Sequence, residues 1–293
     1  MDEFEKLSKM FDEAKRSIKH FYFGKSAWGQ RLCCFELGHG QDCILLQGGM
    51  HAREYITSFL LLKMAFYLAH FDLPVRVYIV PIMNPDGIKL CLKGKEVLSR
   101  HSKSKAFQNC KESVKFVLSK GNHFLAKCNG RGVDLNVNFD CDFGQGKHNF
   151  FGYPSLENYV GARPNSESET RALVMLTKKL KPFVTVSYHS KGEVIYYGYK
   201  GQDKKTRQEQ KMYLRCFSKA HYKKIFTKNS CGGYKDYCLM RLGITAFTVE
   251  VGNDKLLHPI KSSNLDKIFG QNKNIVLKLI KTKLKDNLCK NIL

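Results

Sequence analysis

Ala246-Phe247-Thr248-Val249-Glu250-Val251 is the stretch on which the fold turns. It is apolar and β-branched except for one carboxylate, the pattern of a strand covered on both faces of a sheet. A carboxylate inside such a run is costly unless it is paired or functional. A second run of this kind, Phe183 to Tyr188 (FVTVSY), leads directly into His189-Ser190. A third is Val75 to Ile82 (VRVYIVPI). Leu32 to Leu37 and Cys43 to Gln47 are shorter strands, separated by the turn Gly38-His39-Gly40.

Helical patterns lie between these strands. Phe4, Leu7, Met10, Phe11, Ala14 and Ile18 recur at helical spacing over residues 2–20. Thr57 to His70 is apolar and long enough for a buried helix. A further helix opens at Pro164 to Glu169, with Ser166 and Glu169 in a capping-box pattern, and runs to Leu180. The last helix spans about residues 263–284, and 91–131 reads as Lys-rich loop with short helix. No repeat or Pro-rich linker divides the chain, so one domain over 1–293 is expected. Strands alternating with helices predict an α/β fold with a mixed, mostly parallel sheet between helices.

In open α/β sheets the ligand site lies at the carboxyl ends of the strands. His51, Asn84, His189 and Glu250 all fall at or just after predicted strand ends. His51-Ala52-Arg53-Glu54 follows Cys43 to Gln47 through Gly48-Gly49. Imidazole and carboxylate are zinc ligands, and a catalytic zinc keeps one position open. The His-x-x-Glu spacing is common by itself, and a lone strand-end His is ordinarily a satisfied polar residue.

Composition narrows the classes. There are 49 Lys and Arg against 26 Asp and Glu, a net charge of +23. Such a field attracts nucleic acid, anionic wall polymer or acidic peptide; a Lys-rich solvated surface is the alternative. No Arg-rich arm, helix-turn-helix or RNP-like strand supports specific nucleic-acid binding. Eleven cysteines include no CxxC, which removes zinc-ribbon and thioredoxin-like readings. Free thiols in a reducing cytoplasm are the simplest expectation. The N-terminus has no signal-peptide core. Release to the cell wall by another route stays open. No run of about 18 apolar residues is present for a membrane span.

Taken in order, six segments resemble the M14 family of zinc carboxypeptidases: His51-Ala52-Arg53-Glu54, Asn84-Pro85-Asp86-Gly87, Gly132-Val133-Asp134-Leu135-Asn136, His189-Ser190, Gly232-Gly233 and Thr248-Val249-Glu250. The resemblance covers about residues 20–285. It implies an eight-stranded mixed sheet, and one zinc held by His51, Glu54 and His189 with water as the fourth ligand. Glu250 would be the general base, passing the water's proton to the leaving amine. Asp134 would orient His51, although a turn role is the alternative. Lys127 would stabilise the developing oxyanion, or be a solvated lysine. Arg53 and Asn136 would contact substrate.

The chain also departs from that family. Digestive members read a free C-terminal carboxylate with an Asn-Arg pair, and here the pair is Asn136-Val137. Valine cannot make a bidentate contact to a carboxylate. Lys228 stands where the family has a mobile tyrosine, with Tyr222, Tyr234 or Tyr237 as candidate replacements. Lys235, two residues after Gly232-Gly233, matches the floor of the leaving-residue pocket, where it would favour an acidic side chain; an exposed helix lysine is the alternative.

Several segments are similar to the bacterial branch that cleaves the γ-D-glutamyl–diaminopimelate bond. These are Lys127-Cys128-Asn129, His189-Ser190-Lys191-Gly192-Glu193 and Gly232 to Asp236. The expected substrate is therefore a peptidoglycan stem peptide. A carboxypeptidase or deglutamylase acting on L-peptides is the second reading. An inactive module binding polyanions or cell wall is the third.

Overall fold

Asp2 starts the first helix by a reciprocal cap. Its carboxylate accepts the Glu5 N–H at 2.8 Å, while Glu5 accepts the Asp2 N–H at 2.9 Å. The computed structural model describes residues 1–101, 103–227 and 231–290. Helix α1 (Glu3–Ser17) is followed at once by β1 (His20–Lys25), which pairs antiparallel with β2 (Arg31–Leu37). The helix expected over 2–20 thus ends three residues early. Then come β3 (Cys43–Gln47), α2 (Ile56–Leu68), β4 (Arg76–Val80) and α3 (Pro85–Lys93).

The stretch 91–131, expected as loop with short helix, carries more helix than that. It holds α4 (Glu96–Arg100), α5 (Lys105–Gln108) and α6 (Lys111–Ser119). The second half contains α7 (Ser168–Leu180), β5 (Val184–Ser190), β6 (Val194–Tyr197), α8 (Lys204–Leu214), β7 (Lys223–Phe226), α9 (Tyr234–Arg241) and β8 (Thr245–Val251). The last helix expected from the sequence is two, α10 (Leu265–Asn272) and α11 (Ile275–Lys290).

The eight strands form one sheet in the order β1-β2-β4-β3-β5-β8-β6-β7. The central pairs β4/β3, β3/β5 and β5/β8 are parallel, as is β6/β7 at the edge. Pairs β1/β2, β2/β4 and β6/β8 are antiparallel. Side chains alternate between two cores. Ile44, Leu46, Val184, Val186, Tyr188, Phe247, Val249 and Val251 face the core built with α2 and α11. Leu45 and Ala246 face the core built with α7 and α9. By the same period of two, His189 and Glu250 point to the α7/α9 face.

The expected capping box does not form. Ser166 Oγ donates to Glu167 at 2.8 Å, and α7 begins only at Ser168. Glu167 is drawn inward by Asn129 Nδ2 at 2.9 Å, and Glu169 is fixed by the Ala27 N–H at 3.1 Å. All eleven cysteines are free thiols; nine are buried, Cys231 is half-buried and Cys289 is exposed. No described helix is long and apolar enough to cross a membrane.

Candidate metal centre

Strand β3 delivers the chain to the site through Gly48-Gly49. Gly49 has φ +62°, and a Cβ there would lie 2.3 Å from Ser58 Oγ, so the turn needs glycine. His51 then precedes a single 3-10 turn, Ala52–Glu54. With three residues per turn, positions i and i+3 eclipse, so His51 and Glu54 project from one side. Backbone bonds pin this turn: Ala52 N–H to Lys127 O at 3.2 Å, and Arg53 N–H to Ala126 O at 2.7 Å.

His51 Nδ1 lies 2.9 Å from Glu54 Oε1, and His51 Nε2 lies 3.2 Å from Asp134 Oδ1. His189 Nδ1 lies 3.0 Å from Glu54 Oε2 and 3.2 Å from His51 Nδ1. Ser190 N–H donates to Glu54 Oε2 at 3.2 Å. One ligand atom from each of His51, Glu54 and His189 falls within 4.8 Å of the others, and all three residues are buried. Asp134 also accepts the Asn136 and Asn158 N–H groups at 3.1 and 3.2 Å. With the Nε2–H of His51 committed to Asp134, its Nδ1 lone pair meets the electron pairs of Glu54 and His189. A bound cation relieves that convergence, and two imidazoles with one carboxylate suit zinc.

The electrostatics show the same demand for positive charge, which a proton on His51 Nδ1 would meet in place of a metal. Burial disfavours the charged form of His51, but Glu54 and Asp134 outweigh it and raise its pKa to about 9. Burial acts against both carboxylates as well, yet His51 holds Glu54 and Asp134 well below the ordinary range. Burial pulls His189 down. Glu250 is pushed up to about 8 by burial and by the Glu54 charge.

Glu250 sits opposite His189 in the β5/β8 register and opposite Val194 of β6. Lys127 and Arg53 flank the ligand turn and share one carboxylate, Glu157, at 3.4 and 3.6 Å. Asn136 Oδ1 accepts the Tyr234 N–H at 3.2 Å. Val137 backs onto Gly232, where a Cβ would lie 2.6 Å from the Val137 oxygen.

The structure brings His51, Glu54, His189, Asp134, Glu250, Lys127 and Arg53 together, with Asn136 and Val137 close by in sequence to Asp134. It does not give Lys235 or Tyr234 a free group. Lys235 is only 4% exposed; its Nζ donates to Gly198 O at 2.8 Å and is paired with Asp236. It is therefore not an exposed helix lysine, and its charge is met inside the fold by Asp236. Tyr234 is fully buried with its hydroxyl on Thr177 Oγ1 at 2.7 Å. Tyr222 and Tyr237 are buried too. Lys228 lies outside the described residues.

Two contributors have roles that sequence reasoning did not assign: Asn84, which was expected near the site, and Glu157, which was not. Asn84 Nδ2 donates to Met50 O and Cys128 O, both at 3.0 Å, tying the two loops that carry His51 and Lys127. Its strand-end position was the available signal. Glu157 had no signal, because it comes from an irregular segment.

The chain belongs to the zinc carboxypeptidase family, whose model matches residues 5–274. It is a metallopeptidase of that family. It is 25% identical over 287 residues to the uncharacterized protein YqgT of Bacillus subtilis, covering 90% of this chain and 74% of that one. It is 26% identical over 274 residues to gamma-D-glutamyl-L-diamino acid endopeptidase 1 of Lysinibacillus sphaericus, covering 87% of this chain and 65% of that one. This chain therefore spans about two thirds of that relative's length. Bovine thrombin-activatable fibrinolysis inhibitor, solved with a tick carboxypeptidase inhibitor, has the same fold, with a TM-score of 0.71, 18% identity, and coverage of 97% of this chain and 96% of that one.

Proposed function

We propose that this metallopeptidase hydrolyses the γ-D-glutamyl–diaminopimelate bond of peptidoglycan stem peptides. The observation that carries the reading is the cation pair beside the ligand turn. Arg53 and Lys127 have one shared counter-ion, Glu157, and it is 44% exposed. Among the described residues no second carboxylate lies within ion-pair distance of the two, although Asp134 and Glu250 act on them at longer range. A γ-linked D-glutamate keeps its α-carboxylate free, close to the scissile carbonyl, and that carboxylate supplies a second close partner. The absence of a guanidinium at Val137 argues in the same direction, against a free C-terminal α-carboxylate as the main anchor. The activity named for the Lysinibacillus relative supports the same class of bond.

In this proposal His51, Glu54 and His189 hold zinc, and Asp134 fixes the tautomer and orientation of His51. When bound, zinc polarises the scissile carbonyl and acidifies water. Glu250 accepts the water's proton and returns it to the departing diaminopimelate amine. A carboxylate raised toward neutrality suits both halves of that task. Lys127 faces the charge that develops on the carbonyl oxygen. Arg53 and Asn136 orient the peptide.

The test is mass spectrometry of products from a panel of defined stem peptides and plain L-peptides. The expected product pair comes from cleavage between the glutamyl γ-carbonyl and the diaminopimelate amine. A chelator should stop it and added zinc restore it. Preferential trimming of L-peptides from a free C-terminus would overturn the substrate assignment.

A further inference from the structure

Between residues 200 and 227 the sequence has nine Lys and Arg against two acidic residues. Eight of the nine are exposed: Lys204, Lys205, Arg207 and Lys211 on α8, Arg215 at its C-cap, Lys223 and Lys224 on edge strand β7, and Lys200 in the turn before α8. Among the described residues, none of these eight forms an ion pair, whereas lysines such as Lys6, Lys15, Lys63 and Lys115 do. On α8 the positions 204, 207, 211 and 215 follow the spacing of a single helix stripe. The opposite side buries Thr206, Gln210, Tyr213 and Leu214, with Gln210 Nε2 donating to Ala246 O at 2.7 Å. The stripe joins β7 where the Arg207 guanidinium lies 5.2 Å over the Phe226 ring. Lys224 shares Phe226's side of β7.

Two bland accounts explain only part of this. Lysines on an edge strand guard it against pairing with other chains, which covers Lys223 and Lys224. A solvated helix face normally mixes signs, because like charges one turn apart repel. On α8 the stripe is of one sign for its whole length, about 16 Å.

We propose that this face binds a linear alditol-phosphate polymer of the cell wall, holding the enzyme beside its substrate. The cations recur about once per 5.4 Å turn, suited to successive phosphodiesters. Large exposed aromatics are absent from 199–227 among the described residues, which disfavours a single-stranded nucleic acid, whose bases stack on such rings. The choice of a wall polymer rests on the stem-peptide reading above; the polyanion-binding face itself does not.

The experiment compares three forms of the full chain by fluorescence anisotropy with synthetic poly(glycerol phosphate) and with duplex DNA of equal charge. One form is the wild type. A second carries Lys204→Gln, Arg207→Gln, Lys211→Gln and Arg215→Gln. The third, a charge-matched control, carries Lys103→Gln, Lys105→Gln, Lys178→Gln and Lys179→Gln. The stripe variant should bind poly(glycerol phosphate) at least tenfold more weakly, with a salt slope shallower by about three. The control should change less than twofold. Equal losses in both variants would reduce the effect to net charge and overturn the site. Equal or tighter binding of DNA would overturn the wall polymer as partner, and so would no binding by the wild type at physiological salt. Cleavage of a free stem tripeptide, measured on all three forms, should be unchanged. If the wild type fails to cleave that tripeptide while the stripe still binds polymer, the substrate reading has failed and the face has not.

Discussion

His189 and Glu250 are register partners: residue for residue, β5 and β8 lie parallel, and these two stand opposite each other one residue before both strands end. Main-chain hydrogen bonds therefore set the separation between a proposed ligand and the proposed base. The two roles should separate on substitution. Glu250→Gln keeps the shape and the ligand triad; turnover should fall by about 10²–10⁴-fold while zinc content after dialysis stays at one per chain. His189→Ala should lose the zinc. Metal loss in the first variant, or normal metal content in the second, would reverse the assignments.

Asp134 is the only carboxylate on His51 Nε2 among the described residues, and it is 2% exposed. Asp134→Asn removes the charge that fixes the imidazole tautomer. Zinc affinity, measured by competition with a chromogenic chelator, should fall about 10–100-fold. Unchanged affinity would leave Asp134 with the turn role alone.

Asp86 predicts a pH dependence. It accepts Ser26 Oγ at 2.8 Å and the Trp28 N–H at 2.7 Å, yet burial and the Glu169 charge push its pKa up to about 8. The native state then holds a proton that the unfolded chain releases near its ordinary value of 3.8. Stability falls as pH rises across that window, because the native state binds more protons there. The Tm of Asp86→Asn, compared with wild type from about pH 4 to about pH 8, should show a flatter decline. Parallel curves would mean that Asp86 is ionised throughout.

The buried Lys235–Asp236 pair sets the next expectation. Lys235→Met strands Asp236 in the interior, and breaking a buried pair costs about 3–5 kcal/mol. Denaturant unfolding should show that loss, with cleavage of acidic and neutral leaving residues reduced equally. Selective weakening of diaminopimelate peptides at native stability would return Lys235 to the pocket.

Val137 is half-buried, with its backbone against Gly232. Val137→Arg introduces a fork that fits a carboxylate. Hydrolysis of peptides with a free C-terminus should rise relative to γ-linked peptides. An unchanged ratio would remove this position from specificity.

The sequence was most legible where burial was two-sided. Cys43–Gln47 matches β3 to the residue, and β5 and β8 lie within two residues of their expected ends. Strands β1, β6 and β7 went unread for a physical reason. They lie at or near the sheet edges, are half-exposed, and carry polar residues or glycine, as in Lys223-Lys224-Ile225-Phe226 and Gly24 of β1. The α10/α11 break falls at Lys273-Asn274, and the nearby Gly270 lies inside α10, so it does not mark the break. The break is a tertiary effect, with Tyr67 Oη donating to Asn274 Oδ1 at 3.1 Å. At the site, motif order was enough to single out His51, Glu54 and His189, the three side chains that the structure brings together. It could not reveal that Asp236 neutralises Lys235, because adjacent residues in a sequence carry no sign of shared burial.

The free thiols have a use beyond packing. Nine are shielded in the native state and one, Cys289, stands open near the end of α11. Burial leads the causes that hold thiols such as Cys34 and Cys128 protonated, and therefore slow to alkylate. A thiol reagent followed by peptide mapping would tag Cys289 at once and each interior cysteine only as its surroundings open. The protein thus carries built-in probes spread through its cores, able to chart which layer breathes first when zinc is withdrawn.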